Sequence, residues 1–333
     1  MTRFALAFAA LAAVLALLPG TPAEAVNAKS WVSNTGNDAN DCTLAHPCAT
    51  LQRAHDQTAL GGEIGVLTPG DYCGLPAIGF PCLLIDKSVH ITNNGTGEAG
   101  ILASPHGAGE GITINALAGD IVSLRGLVID GQGTGDNGIT FEVGSALHVQ
   151  NCVIKNFTGG FSFGLVFVPP GNSQLFVSDS IIVNNGLDAA SGGFLISPDR
   201  TGSANVVLDG VHVENNVDGL VINGSFSTGA GVHVIVRGSV FSGNAGNGIR
   251  AVSAPGKAPA FALVERSSMV NNLQNGLLAD GPHATVLLKD NTITRNGAGI
   301  SAVNGGQLIS YGNNTNNNNI GPEGAPTSSL SPM

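Results

Sequence analysis

Six stretches of this chain repeat one short phrase: an apolar residue, two spacers and an asparagine. They are Val153-x-x-Asn156, Ile181-x-x-Asn184, Val213-x-x-Asn216, Phe241-x-x-Asn244, Met269-x-x-Asn272 and Ile293-x-x-Asn296, and their asparagines stand 28, 32, 28, 28 and 24 residues apart. Glycine–apolar restarts follow at Gly193-Phe194, Gly219-Leu220, Gly248-Ile249, Gly276-Leu277 and Gly299-Ile300. A period in this range marks a stack of units, none of which can bury its apolar face alone. The apolar runs between the turns are short and strand-like, so the expected fold is all-β, a single-stranded parallel β-helix. About nine coils stacked at ~4.8 Å would make a rod on the order of 45 Å long.

The six asparagines have a structural explanation. Asparagine tolerates the left-handed backbone of a tight turn, and stacked amides hydrogen-bond along a ladder. Asn156, Asn184, Asn216, Asn244, Asn272 and Asn296 are therefore expected to form such a ladder. Seven residues before each stand Val149, Val177, Asp209, Arg237, Glu265 and Lys289. The last four alternate in sign. In register they become cross-strand neighbours pointing outward from one sheet, a ladder that sets register rather than performing chemistry.

The first 25 residues are a separate object. Arg3 precedes an apolar run from Phe4 to Leu18, Pro19-Gly20 breaks it, and Ala23-Glu24-Ala25 offers small residues for cleavage before Val26. This is the pattern of a secretory signal peptide, and the run is short for a membrane anchor. No later segment is long and apolar enough to span a bilayer as a helix, so a secreted or periplasmic protein is expected. Cleavage would remove one basic and one acidic residue, leaving the net charge at −10. Such a chain does not attract nucleic acid or anionic lipid, and it weighs against polyanionic ligands unless a local cation compensates. In an oxidising compartment Cys42 with Cys48, and Cys73 with Cys82, read as two local disulfides. No CxxC or Cys/His cluster supports metal binding instead. Cys152, beside core-column Val153, reads as a buried inert thiol.

Residues 26–72 form an N-terminal segment, 73–319 the β-helix and 320–333 a loose tail without an apolar period. The spacing of Leu51, Ala54 and Thr58 predicts an amphipathic helix over Thr50–Leu60, stopped at Gly61-Gly62. Glu63 to Leu67 is expected as a strand and Pro69-Gly70-Asp71-Tyr72 as a turn. The open end of a β-helix exposes core and unpaired backbone, and a short helix there serves as a cap.

Trp31-Val32-Ser33, Gly36, Asp38, Thr43, Pro47, Thr50-Leu51, Ala54, Gly62, Ile64, Pro69-Gly70 and Tyr72 together resemble the opening of secreted proteins of the pectate-lyase-like superfamily. The later coils resemble its generic repeat, so the resemblance covers nearly the whole chain after residue 25. It implies a right-handed parallel β-helix with a short N-terminal capping helix, and commonly a polysaccharide as partner. It does not specify an activity, because one fold hosts many.

The motifs of that superfamily are incomplete here. Asn216-Val217-Asp218-Gly219-Leu220 is similar to the first motif of polygalacturonase-like hydrolases. The next two coils carry Asn247-Gly248 and Asn275-Gly276 where an acid pair and a histidine are required. Inverting hydrolysis needs one acid and one base flanking the bond, which Asp218 alone does not supply. A lyase needs a base near the sugar α-proton and a cation for the enolate, with Ca²⁺ held by clustered acids as the possible cofactor. Arg250 follows Gly248 on the coil next to Asp218, and Asp199-Arg200 lies in a long loop. Asp218, Arg250, Asp199 and Arg200 are thus the candidates for chemistry, each with a competing reading as a turn or solvated residue. Asp280-Gly281-Pro282-His283 is set aside, since glycine interrupts the Asp-Pro-His of alginate epimerases. Two functional classes remain: an exported polysaccharide-binding or -processing protein, lyase- or hydrolase-like, and a non-catalytic envelope or extracellular rod of structural or adhesive type.

Overall fold

The computed structural model describes residues 26–74, 79–103 and 109–331. The expected signal peptide, residues 1–25, lies outside them. The chain is an all-β parallel solenoid. Among the described residues its strands form three sheets of twelve, ten and nine strands, and apart from the two ends of the twelve-stranded sheet each strand pairs with the third strand before and after it in the chain. Each turn therefore gives one strand to each sheet. Pairing is parallel throughout; Ala146–Gln150, for instance, lies between Ile121–Arg125 and Gln174–Ser178.

Alternation along each strand builds the core. In Asn172–Ser178, Leu175 and Val177 are buried while Phe176 faces out. The same inward pair recurs as Val206 and Leu208, Val234 and Val236, Ala262 and Val264, then Val286 and Leu288. Phe141 and Phe167 stack across neighbouring turns with ring centroids 4.5 Å apart.

Asparagines hold the corner after the ten-stranded sheet, in two neighbouring columns rather than one. Asn185, Asn216, Asn244, Asn272 and Asn296 are buried. Each donates its side-chain amide to the next side-chain oxygen, at 3.0, 3.3, 2.8, 2.8 and finally 3.0 Å to Asn319. Asn156 and Asn184 stand one residue earlier, in the column of left-handed residues. Their φ values are 62° and 58°, matching Asn215 at 55° and Asn271 at 58°. The buried ladder thus starts at Asn185, since Asn184-Asn185 offers two candidates and the buried one, 31 residues before Asn216, bonds to it; Asn156 and Asn184 bond to each other in the outer column, Asn184 Nδ2 donating to Asn156 Oδ1 at 3.4 Å.

That one-residue offset carries through to the charges. Asp209, Arg237, Glu265 and Lys289 pair in register on the twelve-stranded sheet, but the preceding turns place Ser178 and Gln150 there, not Val177 and Val149. Arg237 Nη2 meets Asp209 Oδ2 at 2.8 Å, whereas Glu265 turns to Arg266 at 3.1 Å.

The ends also depart from expectation. Helix α1 spans Leu51–Gln57 with Thr50 as its N-cap, accepting from the Arg53 amide. It stops before the glycines because Thr58 begins a strand, Thr58–Val66, and bonds back to Ala54 O at 2.6 Å. Residues 320–331 are no loose tail. Ser328–Ser329 pairs with Ile309–Ser310, and the Gly299 and Ile300 amides donate to Pro322 O and Glu323 O at 3.0 and 2.9 Å. Backbone pairing needs no apolar period, so the sequence pattern does not show it. The disulfides Cys42–Cys48 and Cys73–Cys82 are formed. Cys152 is free and buried, and burial pushes its thiol up to about 11.

Candidate functional site

The nine-stranded sheet carries a cleft at the corner where its strands begin. Turn lengths create it. From ladder asparagine to restart glycine the chain takes three residues in Asn216–Gly219, but four in Asn244–Gly248 and Asn272–Gly276. The extra residues on these adjacent turns raise a lip around a space of about 400 Å³, lined in part by Gly246, Asn247, Gln274 and Leu278. Asp218 and Arg250 also line it.

Asp218 opens the strand Asp218–Asn223 and is buried. Its Oδ1 accepts from the Asn247 backbone amide at 2.7 Å and from Asn247 Nδ2 at 3.0 Å. Asn247 is fixed in turn, since its Oδ1 accepts from Asn275 Nδ2 at 2.8 Å. Gly246 makes room, because a Cβ there would land against Asp218 Oδ1. Arg250 points outward from the next turn, in register with Val221 and Leu278. Its Nη1 is 4.0 Å from Asp218 Oδ2 and its Nη2 is 3.6 Å from Asp280 Oδ2. These are ion-pair distances beyond hydrogen-bond length. The guanidinium is centred between two carboxylates with donors unused, and its Nε is buried without a hydrogen-bond partner. Asp280 is steadied by Asn304 Nδ2 at 2.8 Å.

Two of the four candidates from sequence therefore meet in one cleft. The other two do not join them. Asp199-Arg200 lies beyond the far end of strand Gly192–Ile196, with Arg200 largely exposed and its Nε 3.5 Å from Asp199 Oδ2. The Arg200 carbonyl accepts from the Thr228 amide at 2.8 Å, so this is a left-handed turn residue in a stacked loop. Sequence reasoning missed Asn247, Gln274 and the role of Asp280. The two four-residue corners were the available signal for the first pair. Asp280 stands two residues after Leu278, and so on the same face as Arg250's in-register partner.

Calcium takes six to eight oxygen ligands. Among the described residues no three His, Cys, Asp or Glu side chains converge as a metal site. In the cleft Arg250 occupies the space between the carboxylates. This donor set does not fit calcium. What the cleft offers is a half-exposed guanidinium, the Asp218 carboxylate and the carboxamides of Asn247 and Gln274, with Asp280 on the other side of Arg250, a set suited to hydroxyl-rich ligands.

No family model and no curated protein matches the chain. Among solved structures it is similar to pectate lyase Pel9A, at 16% identity and a TM-score of 0.61 over 86% of this chain and 76% of that one. It is also similar to a rhamnogalacturonan lyase, at 14% identity and a TM-score of 0.41 over 82% of each chain. The first likeness shows the fold, a parallel β-helix.

Proposed function

We propose that the protein binds a polysaccharide at the cleft lined by Asp218 and Arg250, with Asp280 beside it, and is placed to process it there. The observation that carries this reading is the Arg250 guanidinium in the cleft lining, its Nη groups at ion-pair distance from two carboxylates and beyond hydrogen-bond length, so that they remain open to a ligand. The chain carries a net charge of −10, and Arg250, the one cation lining the cleft, is already flanked by Asp218 and Asp280. Electrostatics thus favour an uncharged glycan over a polyuronide. Hydrolysis fits such a ligand better than elimination, which needs a substrate carboxylate and a cation free to neutralise it. Asp218 and Asp280, on either side of Arg250, are the two carboxyl groups available to a hydrolytic step. Export is supported by the leader pattern at residues 1–25 and by the two disulfides. Helix α1 is read as the cap of a right-handed coil.

The test is a panel of uncharged glycans and polyuronides, with and without Ca²⁺, with products read by mass spectrometry. Saturated fragments, lost in Arg250→Ala and Asp218→Asn, are the expected result. Unsaturated uronide products would replace hydrolysis with elimination. If the folded protein neither cleaves nor retains any glycan, the structural rod becomes the better reading. That second reading rests on Asp218, whose Oδ1 already holds the Asn247 corner.

A further inference from the structure

The outer face of the twelve-stranded sheet carries an apolar stripe remote in the fold from the cleft. Phe176, Val207, Ile235, Leu263, Leu287 and Ile309 stand in register on six consecutive turns. All six face outward between buried neighbours, and Ile235 is 39% exposed. Polar residues close the stripe at both ends, with His148 before Phe176 and Ser328 after Ile309. On one flank runs the charge ladder Asp209, Arg237, Glu265, Lys289.

Ile235 is exposed and the other five are half-buried, so the column offers apolar surface to a partner of matching shape, and this face matches itself. Turn the face over about an axis parallel to the strands, passing between the Ile235 and Leu263 turns. Every column then meets its own copy in reverse order. Ile235 meets Leu263, Val207 meets Leu287, and Phe176 meets Ile309. In the charge column Asp209 meets Lys289 and Arg237 meets Glu265, so every contact is between opposite signs. On the other flank His233 meets Phe261. An alternating four-charge ladder is complementary to its own reversal, and the apolar stripe is centred on the same axis. An isologous two-fold contact requires this self-complementarity.

We propose that this face is the interface of an antiparallel homodimer with its two-fold axis between the Ile235 and Leu263 turns. Six turns at ~4.8 Å and three outward columns at ~6.8 Å cover on the order of 500 Å² per copy. Two copies bury on the order of 1,000 Å², the low end for a specific interface.

Sedimentation velocity of the full exported chain, from low to high micromolar concentration, tests this. A monomer–dimer equilibrium is expected. Ile235→Lys, folded by circular dichroism, should weaken it by at least about tenfold. The discriminating pair is electrostatic. Arg237→Glu sets like charges against Glu265 of the second copy and weakens the dimer. Adding Glu265→Arg restores opposite charges across the two-fold, while within each chain it leaves like charges stacked at 209/237 and 265/289. Recovery of the dimer without recovery of thermal stability therefore identifies the antiparallel contact. A monomer at every concentration, including one whose face binds a glycan or another protein instead, overturns the proposal. So does a dimer indifferent to Ile235→Lys, or a charge swap that fails to restore it.

Discussion

Asn244 uses one amide to tie three turns together. Its oxygen accepts from the Asn216 backbone amide at 2.9 Å, and its nitrogen donates to Val213 O at 3.2 Å and Asn272 Oδ1 at 2.8 Å. Asn244→Ala would strand buried partners, and we expect a loss of about 1–3 kcal/mol in urea unfolding. Asn184 is exposed and left-handed, so Asn184→Gly should be nearly neutral in the same assay, since glycine adopts that conformation freely. The contrast separates two columns that look identical in sequence. Gly246→Ala acts on the site instead: its methyl group displaces the Asp218 carboxylate from the Asn247 corner, and glycan retention should fall while the fold persists by circular dichroism. At this scale the repeat was legible because apolar-x-x-Asn recurs. Its register was ambiguous by one wherever two asparagines adjoin, since burial, not identity, decides which enters the ladder.

Helix α1 carries a buried histidine. Neither ring nitrogen of His55 has a hydrogen-bond partner, although Asp56 and Asp86 oxygens lie 3.5 Å away. Burial, and then Lys87, hold its pKa below the ordinary histidine range against the pull of the two carboxylates. Protonation therefore favours the unfolded chain. The stability tied to neutral His55 is complete above about pH 6.5, the ordinary value, and is lost as pH falls below it toward the folded-state value. His55→Phe should flatten the fall in urea midpoint between pH 7.5 and 5 relative to the parent protein. The disulfides staple the same end of the rod across separations of 6 and 9 residues. Reduction should cost about 2–3 kcal/mol for each, seen as early melting. The helix itself was readable from the spacing of Leu51, Ala54 and Thr58. Its end was not, because Thr58 can extend a helix or begin a strand, and pairing with the strand Asn27–Val32 decides for the strand.

For the whole molecule, sequence period set the architecture and local irregularity set the site. Regular turns give three flat faces whose outward residues repeat by column, which places an apolar stripe on one sheet and a cleft on another. The coil was legible because every turn must bury the same inward pair. The cleft was half legible: Asp218 and Arg250 stand out as charges beside restart glycines. Asp280 joins them through strand register, which no local motif encodes. The most direct measurement is calorimetric titration of uncharged oligosaccharides into the parent protein and Arg250→Ala. Saturable binding that weakens at least about tenfold on losing the guanidinium's charge-assisted hydrogen bonds is the predicted result. Equal affinity for the two proteins, or no glycan bound by the folded parent, would contradict it.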